Sequence, residues 1–422
     1  MKNLFLFLLC SVTSLISAQE VLTPKAYRTK VVAYSQMLKQ QQLRYVAAKE
    51  SRYIAHTGFL PRLDIELGGT VNLNHLSQWN SPKGSYRPYT YQALLTLTQT
   101  VYSGGGLSAQ KEVAKANEEL QRMNIELSID QIHYQSDVLY WKASATHALM
   151  KAATQYQNIV QQQYQLVKER FEDGAIGRTD LLMISTRLKE AELQYNQMRQ
   201  EYILALQHLN CWMNEQPDAQ VDSLYSIERN EHYITSLTLN EVLLRRADYL
   251  STIISIQRSK AGRKASLSQY NPQVSFFLAS GWDTGTSYMG DDVPHTPLAG
   301  INISIPVFQW GARKKANRRE KALIEIEKYG QQAVVDQIVE EMSIATTKMK
   351  ETAMQIKTAK ETMSLAIENL DLATFSYNEG RSNMSDVLSA QLSWIQARVN
   401  LINAHLAEKM AIAEYQKVIS ER

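Results

Sequence analysis

The sequence predicts a mainly α-helical protomer with membrane β. It is a tandem repeat that gives four β-strands to a shared 12-stranded trimeric β-barrel and long helices to an α-helical barrel. Three observations lead there. The chain is written twice. Each copy holds two alternating runs of strand length, and each holds a stretch too long to be a helix of any globular core.

The repeat is carried by punctuation rather than identity. Val101-Tyr102-Ser103-Gly104-Gly105 aligns with Val307-Phe308-Gln309-Trp310-Gly311 at an offset of 206, and at that offset Gly174 meets Gly380, Asp180 meets Asp386 and Leu182 meets Leu388. Upstream, Pro61 pairs with Pro272 at an offset of 211. Internal self-similarity on this scale marks duplicated structural units. The first repeat spans 19–214 and the second 239–422, joined by an equatorial connector, 215–238. Each repeat opens on a helix, Pro24 to Thr57 and Leu239 to Gln269.

Strand-like runs follow, about 62–76 and 88–102, then 273–283 and 297–308. In LDIELGGTVNLN, Leu63, Ile65, Leu67, Val71 and Leu73 alternate with polar residues; Val274, Phe276 and Leu278, then Ile301, Ile303 and Ile305, do the same in the second repeat. Each run suits a tilted membrane strand of ~9–11 residues. Trp79, Tyr86, Tyr89, Trp282 and Tyr288 lie towards the loop ends, and Tyr102, Phe308 and Trp310 towards the helix ends. Two aromatic bands suit two membrane interfaces. A soluble antiparallel sheet with one wet face gives the same alternation, so the strands alone leave both readings open.

Long helical hairpins come next, 106–214 and 312–421. Leu107 to Asp173 contains neither Gly nor Pro, where this composition would place roughly four such breakers. A helix of that length is about 100 Å long. Val113, Leu120, Leu127, Tyr134, Trp141 and Ala148 recur every seven residues, as in a coiled coil. The glutamine-rich QYQNIVQQQYQ fits either a wall facing water inside a tube or an ordinary solvated face. In FEDGAIGRTDLL and YNEGRSNMSDVL, Gly174 and Gly380 supply left-handed helix C-caps, while Asp180 and Asp386 sit where a helix N-terminus favours an anion.

Four strands cannot close a barrel, and an open edge in lipid leaves backbone groups unsatisfied. Two chains would give eight strands, filled by side chains; three give twelve and a pore. A trimer is therefore expected.

With these motifs in order, the chain resembles the TolC-like outer-membrane efflux proteins, over almost the whole mature sequence. FLPRLDIEL, YNPQVSFFL, IPVFQWG and the two glycine turns carry the resemblance. It implies an exit duct of a tripartite efflux or type I secretion system. The duct would be a homotrimer in outer-membrane lipid, with its α-barrel in the periplasm. Its partners would be a periplasmic adaptor protein and an inner-membrane pump of RND, ABC or MFS type. It also implies a gate built from Thr179, Asp180 and Tyr377, a constriction at Asp386, and adaptor contact at Gly174, Gly177 and Gly380. The family's gate arginine falls on Ser382, with Arg381 beside it, and a second carboxylate position is Ser389. The alternative from another class is a soluble periplasmic coiled-coil adaptor.

Composition limits the rest. MKNLFLFLLCSVTSLISAQE reads as a signal peptide, residues 1–18, with the mature chain starting at Gln19. Lipidation at Cys10 fits less well, because Leu8 and Leu9 precede it. A net charge of +3 gives no argument for nucleic acid. The eight histidines show no ligand spacing, and no Walker loop or nucleophile elbow appears, so neither catalysis, cofactor nor metal is expected. The basic run RKKANRREK, Arg313 to Lys321, is read as lipid- or acid-seeking side chains at the inner membrane rim, or as a plain solvated helix start.

Overall fold

The computed structural model describes residues 21–71, 73, 89–221, 223–229, 237–283 and 297–421. The expected signal peptide lies outside them, as do Trp79, Tyr86, Tyr288, the side chain of Tyr89 and part of the connector. The elements run α1 (Pro24–Tyr34), α2 (Gln36–Thr57), β1 (Arg62–Val71), β2 (Tyr89–Ser103), α3 (Gly106–Glu172) and α4 (Arg178–Met213), then α5 (Leu239–Arg245), α6 (Ala247–Ser268), β3 (Gln273–Asp283), β4 (Leu298–Ser304), α7 (Ala312–Asn378) and α8 (Met384–Val418). They form two compact units, one of residues 37–128 and 239–339, the other of the remainder. Each unit draws on both repeats, and α3 and α7 each run through both.

The helix expected to open each repeat is broken once. Ser35 (ψ 113°) separates α1 from α2, and Arg246 (ψ 116°) separates α5 from α6. The two breaks stand 211 residues apart, the offset already seen at Pro61 and Pro272. Each is closed by one bond to the preceding turn, Ser35 N–H to the Val31 carbonyl at 2.9 Å and Arg246 N–H to the Val242 carbonyl at 3.0 Å. Periodicity could not show these breaks, since neither residue is a Gly or Pro.

The first unit holds the sheet. All neighbours are antiparallel, in the order β1-β2-β3-β4, so the second strand of one repeat pairs with the first strand of the other. One row crosses all four strands, Leu63 beside Leu97, Leu97 beside Leu278, and Leu278 beside Ala299. The apolar face to which this row belongs is largely exposed, Leu63 by 61 % and Ile65 by 71 %. Polar Asp64, Glu66, Gln92, Thr96 and Thr98 occupy the other face, where the Gln92 amide donates to Glu66 at 3.2 Å. A soluble sheet would bury its apolar side. Here no described element covers it, which decides between the two readings of the alternation in favour of lipid contact. The observed β4 stops at Ser304, short of the predicted 308, because its partner β3 begins at Gln273 opposite Ser304. Residues 305–309 leave the ladder.

The other unit is held by packed helices and a strapped connector. Ala153, Val160 and Val167 form a buried heptad line on α3, beside the half-buried stripe that sequence periodicity marked. In the sheet-bearing unit the equivalent line is Ala109, Ala116 and Met123. The Tyr140 hydroxyl donates to the Leu22 carbonyl at 2.6 Å and accepts from Tyr225 N–H at 2.9 Å. Lys409, only 1 % exposed, donates to the Arg229 carbonyl at 2.9 Å and lies 4.5 Å over the Trp141 ring. Arg28 grips buried Asp137 through two contacts, Nε to Oδ1 at 2.6 Å and Nη2 to Oδ2. The connector thus behaves as a strap across α3 and α8 rather than as a free linker. Among the described residues no helix is long and apolar enough to cross a membrane.

Candidate functional site

The two glycine turns are built alike. Gly174 (φ 72°) and Gly380 (φ 71°) occupy the left-handed region, which glycine enters without a Cβ clash. Each closes its helix with a pair of reverse bonds. Gly174 N–H donates to the Phe171 carbonyl at 3.0 Å and Ala175 N–H to the Arg170 carbonyl at 2.8 Å; Gly380 donates to Tyr377 and Arg381 to Ser376 at the same distances. This is the Schellman cap expected of a C′ glycine. The next helix starts three residues on, with Gly177 and Asn383 as N-caps, both extended. Asp180 and Asp386 then fall in the first turn, where the helix dipole favours a carboxylate. Asp386 also reaches back, accepting from Asn383 N–H at 3.3 Å.

The turns differ in what they do to each other. Arg170, in the last turn of α3, donates to the last carbonyls of α7, Tyr377 at 3.4 Å and Asn378 at 3.1 Å. Its guanidinium lies 5.4 Å over the Tyr377 ring. A planar five-donor fork suits this combination of stacking and carbonyl capping. The equivalent position in the second repeat is Ser376, so the bridge runs one way only.

Between the turns lies a cleft of about 480 Å³, lined by Arg170, Asp180, Met183, Tyr377, Ser382 and Asn383 among others. Tyr377 is 5 % exposed. Its hydroxyl, like that of Ser382, is buried without a hydrogen-bond partner. Burial pushes the Tyr377 phenol above its ordinary range, and the Asp180 charge adds to that. The Arg170 cation works in the opposite direction. Two neutral donors therefore face one cation and one carboxylate in a half-dry cleft. The Arg170 contacts join the two helical hairpins at this end. Among the described residues, no group of His, Cys, Asp and Glu is placed to hold a metal.

Of the residues singled out from the sequence, the cleft gathers Asp180, Tyr377 and Gly380. Thr179, Arg381 and Asp386 are exposed and do not line it, and Gly174 and Gly177 lie on the outer turn. Sequence reasoning missed Arg170. The available signal was a basic residue in the last turn of a helix, but that pattern points to the helix's own carbonyls and not to those of another.

The outer membrane efflux protein family model matches residues 29–214 and again 238–416. None of the curated proteins matches. Solved structures with the same fold include the Campylobacter jejuni CmeC outer membrane channel, at 17 % identity and TM-score 0.79, covering 94 % of this chain and 85 % of that one. The outer membrane protein VceC of Vibrio cholerae is 15 % identical with TM-score 0.78, over 94 % and 95 %. The Neisseria gonorrhoeae MtrE outer membrane channel in its open state is 15 % identical with TM-score 0.80, over 94 % and 88 %.

Proposed function

Because the chain belongs to the outer membrane efflux protein family, we propose that three copies form one passive duct, open to the periplasm at the glycine turns. The carrying observation is the sheet: among the described residues its apolar face is uncovered and its two edges, β1 and β4, are unpaired. Unpaired edges are not tolerated in lipid, so β4 of one copy pairs with β1 of the next and twelve strands close. On α7, Leu365 and Leu372 stand one heptad apart and are exposed, an apolar pair that a neighbouring copy covers.

In this reading the tip has two sets of residues. Asp180 and Tyr377, with Arg170, hold the two hairpins of one copy together. Thr179, Arg381 and Asp386 are exposed and so available to neighbouring copies, and three Asp386 carboxylates form a negative ring near the axis. Gly174, Gly177 and Gly380 shape the outer turns that an adaptor protein would meet. The inner-membrane pump supplies the energy, and no residue of this chain is given a chemical step.

The test begins with fractionation. The protein should leave the outer membrane only with detergent, run as a trimer and conduct in planar bilayers. Recovery as a soluble periplasmic monomer would overturn the proposal and favour the coiled-coil adaptor. At the tip, Asp386→Ala should weaken block by multivalent cations, because like charges gathered at one axis attract them. Unchanged block would remove Asp386 from the constriction.

A further inference from the structure

The two repeats differ where β4 hands over to α7. Trp310 takes the place that Gly104 holds in the first repeat, at the offset of 206. Both are left-handed, Gly104 at φ 65° and Trp310 at φ 49°. Glycine is the unstrained residue there, and a bulky residue in that region is an outlier that needs a reason. The packing gives none, because Trp310 is 85 % exposed, with Val307 at 92 % and Phe308 at 70 % beside it. Phe308 and Trp310 pack edge to face, with centroids 4.9 Å apart.

One turn further on, the basic run begins. Arg313, Lys314, Lys315 and Arg318 are exposed, and their side chains make no hydrogen bond or ion pair among the described residues. Their neighbours on the inward side are spoken for. Asn317 accepts from Arg263 at 2.9 Å, and Arg319 bonds Glu320 and Ser266. The matching residues of the first repeat are Leu107, Ser108, Ala109 and Glu112, so this cation cluster belongs to the second repeat alone.

We propose that Phe308, Trp310 and the Arg313–Arg318 cations form a binding site for anionic phospholipid headgroups in the periplasm-facing leaflet. The aromatic pair sits at the end of an apolar sheet, where amphipathic rings anchor at the headgroup level. The cations follow within one helical turn, and charge complementarity selects a phosphate-rich surface without a zwitterionic counter-charge. The site rests on the placement of the sheet in a bilayer argued above.

The test uses full-length protein reconstituted in phosphatidylcholine vesicles that contain either brominated phosphatidylglycerol or brominated phosphatidylcholine at equal mole fraction. Bromine quenches nearby indoles, and subtraction of a Trp310→Phe variant isolates Trp310. Each basic side chain at a charged leaflet favours anionic lipid about fivefold at most. A preference for phosphatidylglycerol beside Trp310 of about threefold or more is therefore expected. It should vanish in R313Q/K314Q/K315Q/R318Q and shrink at high salt in the unmodified protein. Channel conductance in the same vesicles reports insertion. Insertion with equal quenching by the two lipids overturns the site, whereas failure to insert overturns the membrane placement. Loss of trimers on neutralisation, with no lipid preference in the native protein, would mean that the cations face acidic groups of a neighbouring copy.

Discussion

Arg170→Met should loosen the tip without unfolding the chain. The Nη2 bond to Asn378 at 3.1 Å is a sound hydrogen bond, and the Nη1 bond to Tyr377 at 3.4 Å is a long one. Together they contribute about 1.5 kcal/mol, with about 0.5 kcal/mol more from the guanidinium over the ring, because the site is only half-buried. A loss of about 2 kcal/mol corresponds to roughly a 30-fold rise in local opening. Amide hydrogen exchange followed by mass spectrometry reads this directly. Peptides covering 170–184 and 376–390 should exchange about 30-fold faster, and peptides around Tyr140 and Ile402 should not change. Arg170→Lys should recover only part of the protection, because an ammonium cannot stack and fork at once. Unchanged exchange at both turns would show that the hairpins are held by apolar packing alone. An increase spread over the whole chain would show that Arg170 supports the fold and not the tip.

Gly380→Ala should lower the melting temperature, since a side chain at φ 71° costs about 1 kcal/mol, whereas Gly177→Ala, at φ −79° with open space where a Cβ would stand, should be near neutral, the lost N-cap preference offsetting the gain in chain entropy. Equal effects of the two would remove the left-handed cap from the argument. Asp137→Ala strands Arg28 and should destabilise by about 3 kcal/mol, with the double change Arg28→Met/Asp137→Leu recovering most of it in the same thermal melts. His147 stacks on Tyr202 with centroids 4.8 Å apart, and burial, aided by Lys151, holds its pKa below the ordinary 6.5. The neutral imidazole is thus the folded form. Its stability contribution is present above about pH 6.5 and lost as pH falls through the lowered folded value, so the acid-induced drop in melting temperature should shrink in His147→Phe.

Much of the fold was legible because its signals are long or repeated. A glycine-free stretch beginning at Leu107 admits little but a helix, and two glycine turns at one offset admit little but a duplicated hairpin. The strand pattern was legible in period but not in sign, since alternation does not say which face is wet. Exposure of Ile65 and its row supplied the sign. The breaks at Ser35 and Arg246 were hidden because their residue types are ordinary in helices. In the candidate site, Asp180 and Tyr377 could be named from motif positions, but Arg170 could not. Its partners are backbone carbonyls more than 200 positions away, and a carbonyl leaves no trace in the residue type that carries it.

The repeat itself makes the remaining inference possible. Two copies of one hairpin give an internal control, because positions that serve only the fold should carry equivalent residues in both. Gly174 and Gly380, the two left-handed helix caps, do. Arg170 facing Ser376, and Trp310 facing Gly104, do not. In the first mismatch one hairpin contributes a cation that the other accepts through its carbonyls, and two identical hairpins could not both play the donor at one contact. In the second, one copy keeps the residue the backbone prefers while the other carries an exposed aromatic at a strained position. The first difference holds the two hairpins of one chain together at the tip. The second does nothing for the packing of a single chain, and in the headgroup site proposed above it serves a membrane surface outside it. Exchanging the pair, with Gly104→Trp and Trp310→Gly in one chain, separates the two explanations. Gly104 has the Ser268 carbonyl 2.4 Å from where a Cβ would stand, so the first change should disrupt the sheet-to-helix corner. The second alone should raise stability in detergent while weakening retention of anionic lipid. A loss of detergent stability on Trp310→Gly would show that the strained tryptophan serves the fold after all.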